Sequence, residues 1–537
     1  MHFQSKKIPS CFYLILFVFQ TSRLIAQVGP QPLPYQRQLY LEYEKDLSRT
    51  DKKTFGSFKP YREDEQPYGW ALDSIGKVGK KNWLSRKLFN EHFIQYKDSA
   101  GKWNVYMDPL LDLQLGKDRA SGLSTFTNTR GAQVLGNVGK KFSFYTAFYE
   151  NQARFAPYIR DFIILNDVVP GQAWARRFDK PEYDYSHVLG YISYAPNDYL
   201  QIQLGHDRNF IGDGYRSLLL SDASFPYPQL KIRGKLGPFQ YHYLLSQYTD
   251  LKSPIISQTM GKPYKYSSMS YLDWAVTKRL NIGLFQAVIW ILQDSSGRRS
   301  VPWNYLNPLI FLKPIEFSTQ SEGNMMSGLN IRYKFSQQLV GYGQLALDEF
   351  VGKNLFAQNG FYGNKYAIQL GLKAIHPFKV KNLYLQTEGN VVRPYTYSHW
   401  GSLTNYAQYN QPLAHPRGAN FWEWVNLADY RTGRFYGSMK LIFTKVGLDE
   451  EGKSWGQNVY TPFFKREKDF ENTIGQGLKT DINHAELQVG YIFNTKTNMR
   501  LYFGYLNRSF TNIKKQEKTQ LFSVGLSTML RNVYYDF

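Results

Sequence analysis

Period-two alternation of apolar and polar side chains constrains this chain more than any other feature. Between Glu486 and Tyr505, Leu487, Val489, Tyr491 and Phe493 alternate with Glu486, Gln488 and Gly490. After a turn at Asn494–Asn498 the series resumes with Met499, Leu501, Phe503 and Tyr505, with Arg500, Tyr502 and Gly504 between them. A repeat of two places the sets on opposite faces of a strand, so the stretch reads as a β-hairpin. Ser327–Leu347 repeats the pattern. Leu329, Ile331, Tyr333 and Phe335 oppose Asn330, Arg332 and Lys334, and Leu339, Leu345 and Leu347 oppose Tyr342, Gln344 and Asp348. A third hairpin joins Leu230/Ile232 to Phe239, Tyr241, Tyr243 and Leu245 through Gly234–Pro238.

Alternation alone also suits a soluble sandwich, so the choice rests on other features. Residues 1–27 read as a secretory signal: Lys6 and Lys7 precede the apolar run Phe12–Phe19, with a cleavage zone at Ala26 or Gln27. Cys11, the chain's one cysteine, lies inside that signal, which excludes structural disulfides, four-cysteine zinc sites and thiol nucleophiles from the exported chain. No later stretch reaches about 18 uninterrupted apolar residues, which excludes a helical membrane protein. Aromatics make up 17% of the chain and recur near strand ends, as in interfacial girdles. Val533, Tyr535 and Phe537 alternate up to a terminal Phe, as in the sorting signal of outer-membrane barrels, with a bulge near Arg531-Asn532 expected to correct the phase. Asn507–Thr519 is expected as a long outer loop and Asn494–Asn498 as a tight inner turn. The expected fold is all-β: a transmembrane antiparallel barrel over 103–537, on the order of 16–18 strands by length, starting near Val105. Residues 28–102 are expected to be a periplasmic segment with one short helix at Lys81–Tyr96, where Trp83, Leu84, Leu88, Phe89 and Phe93 form an apolar stripe.

The chemistry is mostly absent. No nucleophile elbow, HExxH, P-loop or dinucleotide fingerprint occurs, so no enzyme and no cofactor is expected. Within Gly205–Ser217, Asp207, Asp213, His206 and Ser217 invite a catalytic reading. The plainer one is that Gly205, Gly212 and Gly214 free the backbone at a strand-to-loop bend while Asp207, Arg208, Asp213 and Arg216 pair inside a polar lumen. Glu91-His92 reads as a surface pair. A second dense region runs from Arg393 to Asn420. There His399 and His415 with Glu388 suggest a metal site, against a hydrogen-bonded packing role, and metal is the minority reading. Aromatic rings with Arg are also the chemistry of a sugar site, where rings cover apolar sugar faces and guanidinium pairs with hydroxyls or uronates. The net charge of +22, with basic clusters at Lys465–Lys468, at Lys514, Lys515 and Lys518, and at Arg298-Arg299, points to lipopolysaccharide phosphates or acidic polysaccharide rather than nucleic acid.

The run Gly205–Asp222 (GHDRNFIGDGYRSLLLSD) resembles the signature of the capsule-assembly Wzi family of outer-membrane barrels, at Gly205, Asp207, Arg208, Gly212, Gly214 and the Ser-Leu run ending at Ser221. Asn209-Phe210 and Asp213 depart from the Trp-rich enteric version. Trp303–Pro308, Val392–His399 and Pro412–Asn420 look closer to a branch in Bacteroidetes-type bacteria that includes the gliding-motility protein RemB. The resemblance implies a barrel of about 18 strands with a periplasmic helical element, in the outer membrane. It implies a lectin-like role that holds capsular or other surface polysaccharide, with a gliding-motility component as an alternative; a porin-like channel is the alternative of another class that the barrel itself leaves open. Candidate glycan contacts are Arg208, Asn209, Tyr215, Arg216, Arg393, Tyr395, Tyr397, His399, His415 and Arg417. Capsule-export or motility proteins of the envelope are the further partners it suggests.

Overall fold

The computed structural model describes residues 31–63, 72, 75–79, 82–98, 102–179, 181–252, 263–294, 297–298, 300–309, 323–349 and 352–537. Residues 1–27, read above as a signal, and Arg299 lie outside them.

Eighteen antiparallel strands close into a barrel. They are β1 (Trp103–Asp118), β2 (Ser124–Val138), β3 (Phe142–Arg154), β4 (Glu182–Tyr194), β5 (Leu200–Asp207), β6 (Tyr227–Leu236), β7 (Phe239–Thr249), β8 (Tyr264–Ala275) and β9 (Leu280–Ile291), followed by β10 (Asn324–Lys334), β11 (Leu339–Glu349), β12 (Lys365–Ile375), β13 (Leu383–Val392), β14 (Phe421–Thr432), β15 (Phe435–Leu448), β16 (Leu478–Asn494), β17 (Met499–Thr511) and β18 (Gln516–Ser527). The three hairpins read from the sequence all form. Val489 faces Phe503 and Tyr491 faces Leu501 across β16–β17, Leu329 faces Leu345 across β10–β11, and Ile232 faces Tyr243 across β6–β7. Leu487, Val489, Leu501 and Phe503 are exposed on the outer surface with Leu113, Leu115, Ile192, Leu204 and Leu370, an apolar belt of the kind that bilayer hydrocarbon covers.

Two expectations about loops need correction. The third hairpin turns on Gly237-Pro238 alone, because the strands run further than the alternation suggested. Asn507–Thr519 is not a long loop: β17 runs to Thr511 and β18 starts at Gln516. The polar side chains there mark strand protruding beyond the belt, and polarity alone does not separate that from a loop. The long connections are 155–181, 208–226, 250–263, 292–323, 350–364, 393–420 and 449–477, all at one end of the barrel, whereas turns at the other end span seven residues or fewer.

The lumen is filled from three directions. From the short-turn end comes α1 (Arg37–Leu47), whose Leu39, Tyr40, Tyr43 and Leu47 pack with Tyr35, Tyr61 and Phe210. Sequence reading placed no helix there. Its polar face is tied to the wall by Arg37–Asp429 at 2.7 Å, Glu42–Arg431 at 2.7 Å and Glu44–Lys373 at 2.5 Å. From the long-loop end, 208–226 turns inward, and Phe210-Ile211 pairs with Phe58-Lys59 as a two-stranded ribbon inside the barrel. The third filler is the chain's C-terminal segment. The terminal strand expected at Val533, Tyr535 and Phe537 does not form. β18 stops at Ser527, and 528–537 leaves the wall and lies inside. Tyr534 donates to Asp222 at 2.8 Å, and Asn532 accepts from the Arg37 amide at 2.9 Å, so the three fillers meet.

The expected helix at Lys81–Tyr96 is shorter. α2 spans Trp83–Phe89, capped by the Asn82 side chain accepting from the Ser85 amide. Its Trp83, Leu84 and Leu88 are exposed at the short-turn rim. Asn90 caps it, and Ile94–Lys97 is a strand beside the lower half of β1. Glu91 pairs with Arg86 and Lys87, while His92 Nδ1 meets Asp108 at 2.7 Å.

Candidate functional site: the long-loop mouth

The Gly205–Asp222 run is the upper part of the lumen filling. Gly212 has φ of +143°, and a Cβ there would come within 2.5 Å of Gln344 Nε2, so only glycine fits without displacing Gln344. A Cβ on Gly214 would meet Glu388 Oε2 at 2.4 Å. The closeness is used: Glu388 accepts from the amides of Tyr215 (2.7 Å) and Arg216 (3.1 Å). Asp213 takes Arg332 at 2.9 Å and the Ser57 hydroxyl at 2.7 Å. Burial alone would raise its carboxyl, but Arg332, Lys59 and Lys373 hold it below the usual carboxylate range. The Ser-Leu run is gripped by Tyr397 and Tyr406, whose hydroxyls donate to the carbonyls of Leu218 and Leu219 at 2.8 and 2.7 Å.

This placement separates the residues of the catalytic reading. Ser217 Oγ is buried in the lumen and donates to the Ile211 carbonyl, whereas His206 shares its strand face with the exposed Ile202 and Leu204 and contacts the Val188 carbonyl. The wall lies between them. The metal reading fares similarly. Glu388 is taken by the amides above, His399 Nδ1 meets Thr404 Oγ1 at 2.6 Å, and His415 Nε2 meets Glu423 at 2.9 Å. Among the described residues no group of three His, Cys, Asp or Glu is placed to hold a metal.

The ten candidate glycan contacts fall into three groups. Arg208 donates to the Gly171 and Asp222 carbonyls, and Asn209 to Gln229, inside the lumen. Arg393, Tyr395, Tyr397 and His399 hold the loop 393–420. Arg393 donates to the Phe361 carbonyl at 3.4 Å, and the Tyr395 hydroxyl to the Ser454 carbonyl at 3.0 Å. Tyr395 and Tyr397 adopt positive φ (66° and 73°), a conformation held by their amides donating to Gly456 O and Asp348 Oδ2. Tyr215, Arg216, His415 and Arg417 converge on two buried carboxylates. Arg216 reaches Glu423 at 3.2 Å and Asp536 at 2.9 Å, and Tyr215 donates to Asp536. The Arg417 amide donates to His415 Nδ1 at 3.2 Å, which leaves the proton on Nε2 to be donated to Glu423. Burial pushes the His415 imidazole down to about 4, against the pull of Glu423.

Of the ten, Arg417 alone faces an open cavity at the long-loop mouth, of about 330 Å³. Tyr158 and Phe162 from α3 (Pro157–Asn166), Tyr460, Phe510 and Phe537 supply rings to its walls, and Arg508, Lys252 and Lys515 supply further cations. The Arg417 side chain is 6% exposed, its Nε and Nη2 make no hydrogen bond, and its nearest carboxylate, Glu423, stands 3.8 Å away. Burial pushes its guanidinium down to about 10, against the pull of Glu423. Arg508 Nε likewise makes no hydrogen bond. Two buried guanidiniums with spare donors stand beside ring faces, the pair of groups by which planar oxyanions and ring-shaped ligands are held in general. Of the lining residues, sequence reasoning named only Arg417 as a glycan contact. The basic cluster at Lys514, Lys515 and Lys518 was the visible trace, and Arg508 lies in the stretch read as a loop.

No family model matches the chain, and no curated protein matches it in sequence. Among solved structures it is similar to Escherichia coli Wzi, described as an outer-membrane protein involved in group 1 capsule assembly and a carbohydrate-binding β-barrel. The identity is 14%, over 94% of this chain and 100% of that one, with a TM-score of 0.58. The fold is Wzi-like. Pseudomonas aeruginosa OprD (10% identity, 79% and 96% of the two chains, TM-score 0.42) and OpdK with vanillate (9%, 79% and 98%, 0.44) are more distant.

Proposed function

We propose that this chain is a non-enzymatic outer-membrane barrel that binds surface polysaccharide at its long-loop mouth and anchors it there, as in capsule assembly. The observation that carries the reading is the cavity at Arg417 and Arg508: buried guanidiniums with spare donors beside aromatic walls, at the end where the loops are long and therefore face outward. The Wzi-like fold supports it, since that relative is described as carbohydrate-binding. Lys514 and Lys518, which do not line the cavity, offer cations to lipopolysaccharide phosphates as well. The filled lumen favours anchoring over porin-like diffusion. A gliding-motility role would use the same sugar contact, and a deletion strain scored for both polysaccharide retention and spreading separates the two.

The test is glycan binding by purified Arg417→Gln and Tyr460→Ala variants that retain heat-modifiable migration. Losing a charge-assisted hydrogen bond costs roughly 1.5–3 kcal/mol, so a loss of about tenfold or more is expected for Arg417→Gln. Unchanged binding and unchanged polysaccharide retention by both variants would sink the proposal.

A further inference from the structure

A second cavity, of about 290 Å³, lies deeper in the lumen against the same wall. It is lined by Arg37, Arg208, Lys440, Arg500 and Arg531 against Asp112 and Glu486; Asp429, Asp536 and Asp207 pair with Arg37, Lys440 and Arg531, which leaves Arg208 and Arg500, among the described residues, as the cations that face it without an ion pair of their own. The wall shows how the two spaces are kept apart. On β16 the inward side chains run Ile482, His484, Glu486 and Gln488 from the mouth downward, and on β17 they run Arg508, Leu506 and Tyr502. Ile482 and Arg508 line the upper cavity, and Glu486, Gln488 and Tyr502 the lower. His484 and Leu506 line neither.

The C-terminal segment lies at that level. Phe537 is a wall of the upper cavity, its ring 4.7 Å from Phe162, and Tyr535 is a wall of the lower. Leu506 and Tyr535 pack against the same cluster, around Phe155, Tyr158 and Ile159. Between the two rings, Asp536 is held by Arg216 at 2.9 Å, by Lys440 at 2.7 Å and by the Tyr215 hydroxyl. Lys440 lines the lower cavity and also meets Glu486 at 3.1 Å.

The segment is therefore fixed by its charge. Taking Asp536 off its clamp leaves Arg216 with Glu423 and Lys440 with Glu486, but Arg216, Lys440 and Arg417 then share two carboxylates, a deficit of one buried negative charge that is costly unless another anion makes it up. An anion arriving from the mouth supplies that replacement, and a cation does not. We propose that residues 533–537 form an anion-displaceable partition, and that the lower cavity is a chamber for a small oxyanion, a carboxylate or phosphate, admitted from the long-loop side.

Full-length protein carrying Cys11→Ser and Gln488→Cys places one thiol in the chamber. Its modification is followed with an anionic reagent (methanethiosulfonate ethylsulfonate) and a cationic one (the ethyltrimethylammonium analogue). The partition predicts modification at least tenfold faster by the anionic reagent, slowed by added inorganic phosphate. In Asp536→Asn the clamp is released, and the anionic rate rises a further severalfold while the cationic rate stays low. Phe537→Ala, which leaves the clamp intact, serves as a second opening variant if Asp536→Asn does not assemble. Equal rates for the two reagents, equal acceleration of both by the variants, or a thiol that reacts only after denaturation would each overturn the proposal.

Discussion

At Asp213 a single carboxylate balances cations from two parts of the chain, Arg332 on β10 and Lys59 on the N-terminal filling, while Ser57 donates to it. Asp213→Asn leaves Arg332 among the largest fully buried side chains with only Glu44, at 3.4 Å, to offset it. Such a change typically costs roughly 3–5 kcal/mol, seen as a lower temperature of heat-modified migration, with glycan affinity at the mouth unchanged. Protons act at two levels. His415 has its folded pKa depressed to about 4 from an ordinary value near 6.5, so the unfolded chain binds the extra proton first. Its contribution is present above about 6.5 and lost as pH falls towards 4. Asp213 and Asp536, also depressed, contribute above the usual carboxylate range and lose their effect only in stronger acid. Stability measured against pH should therefore decline in two stages, and His415→Gln should shrink the first. These couplings were invisible in the sequence. Asp536 and Arg216 are 320 positions apart, and only the closed wall brings them together.

At the scale of elements, the hairpins were readable because each strand carries its own lipid face and lumen face, a property of neighbours in sequence. α1 was not, since its buried side mixes Leu39, Tyr40, Tyr43 and Leu47 with the acidic Glu44 and Asp46, and its partners are lumen residues. Val533, Tyr535 and Phe537 fit a strand as well as they fit a coil, and pairing chemistry, not periodicity, decides between them. The barrel seam shows the same dependence on distant parts. β18 pairs with β1 only from Leu521/Asp118 to Ser527/Asp112; the Thr528 amide and hydroxyl add contacts to Leu111. Lower on β1, the partner is Ile94–Lys97. Between them the Asp108 carboxylate accepts from the Phe93 amide at 2.9 Å and meets His92. Asp108→Ala should loosen this joint by about 1–3 kcal/mol, the cost of leaving a buried amide unmatched. The readout is faster proteolytic nicking within 82–98 in detergent, with the mouth unaffected.

For the molecule as a whole, the lumen filling sets the expectation for transport. In planar bilayers the intact chain should pass little current, well below an open barrel of similar strand number. Its net charge of +22 predicts that binding of an acidic glycan weakens as salt rises from about 0.05 to 0.5 M, because the Debye length shrinks to a few ångströms. Binding that ignores salt would place the affinity in ring stacking instead. Barrel class and approximate strand number were legible at this scale, because export, charge and alternation are bulk properties. The mouth cavity was not, because its cations come from the separate loops and strands that carry Lys252, Arg417, Arg508 and Lys515. Ile94–Lys97 has one more implication. The cylinder is stitched with thread that comes from its own stuffing: the polypeptide that leads out of the interior is sewn into the wall beneath the last full-length stave. Filling and hull thus mature together, and a force that drags out the interior would first have to unpick the seam.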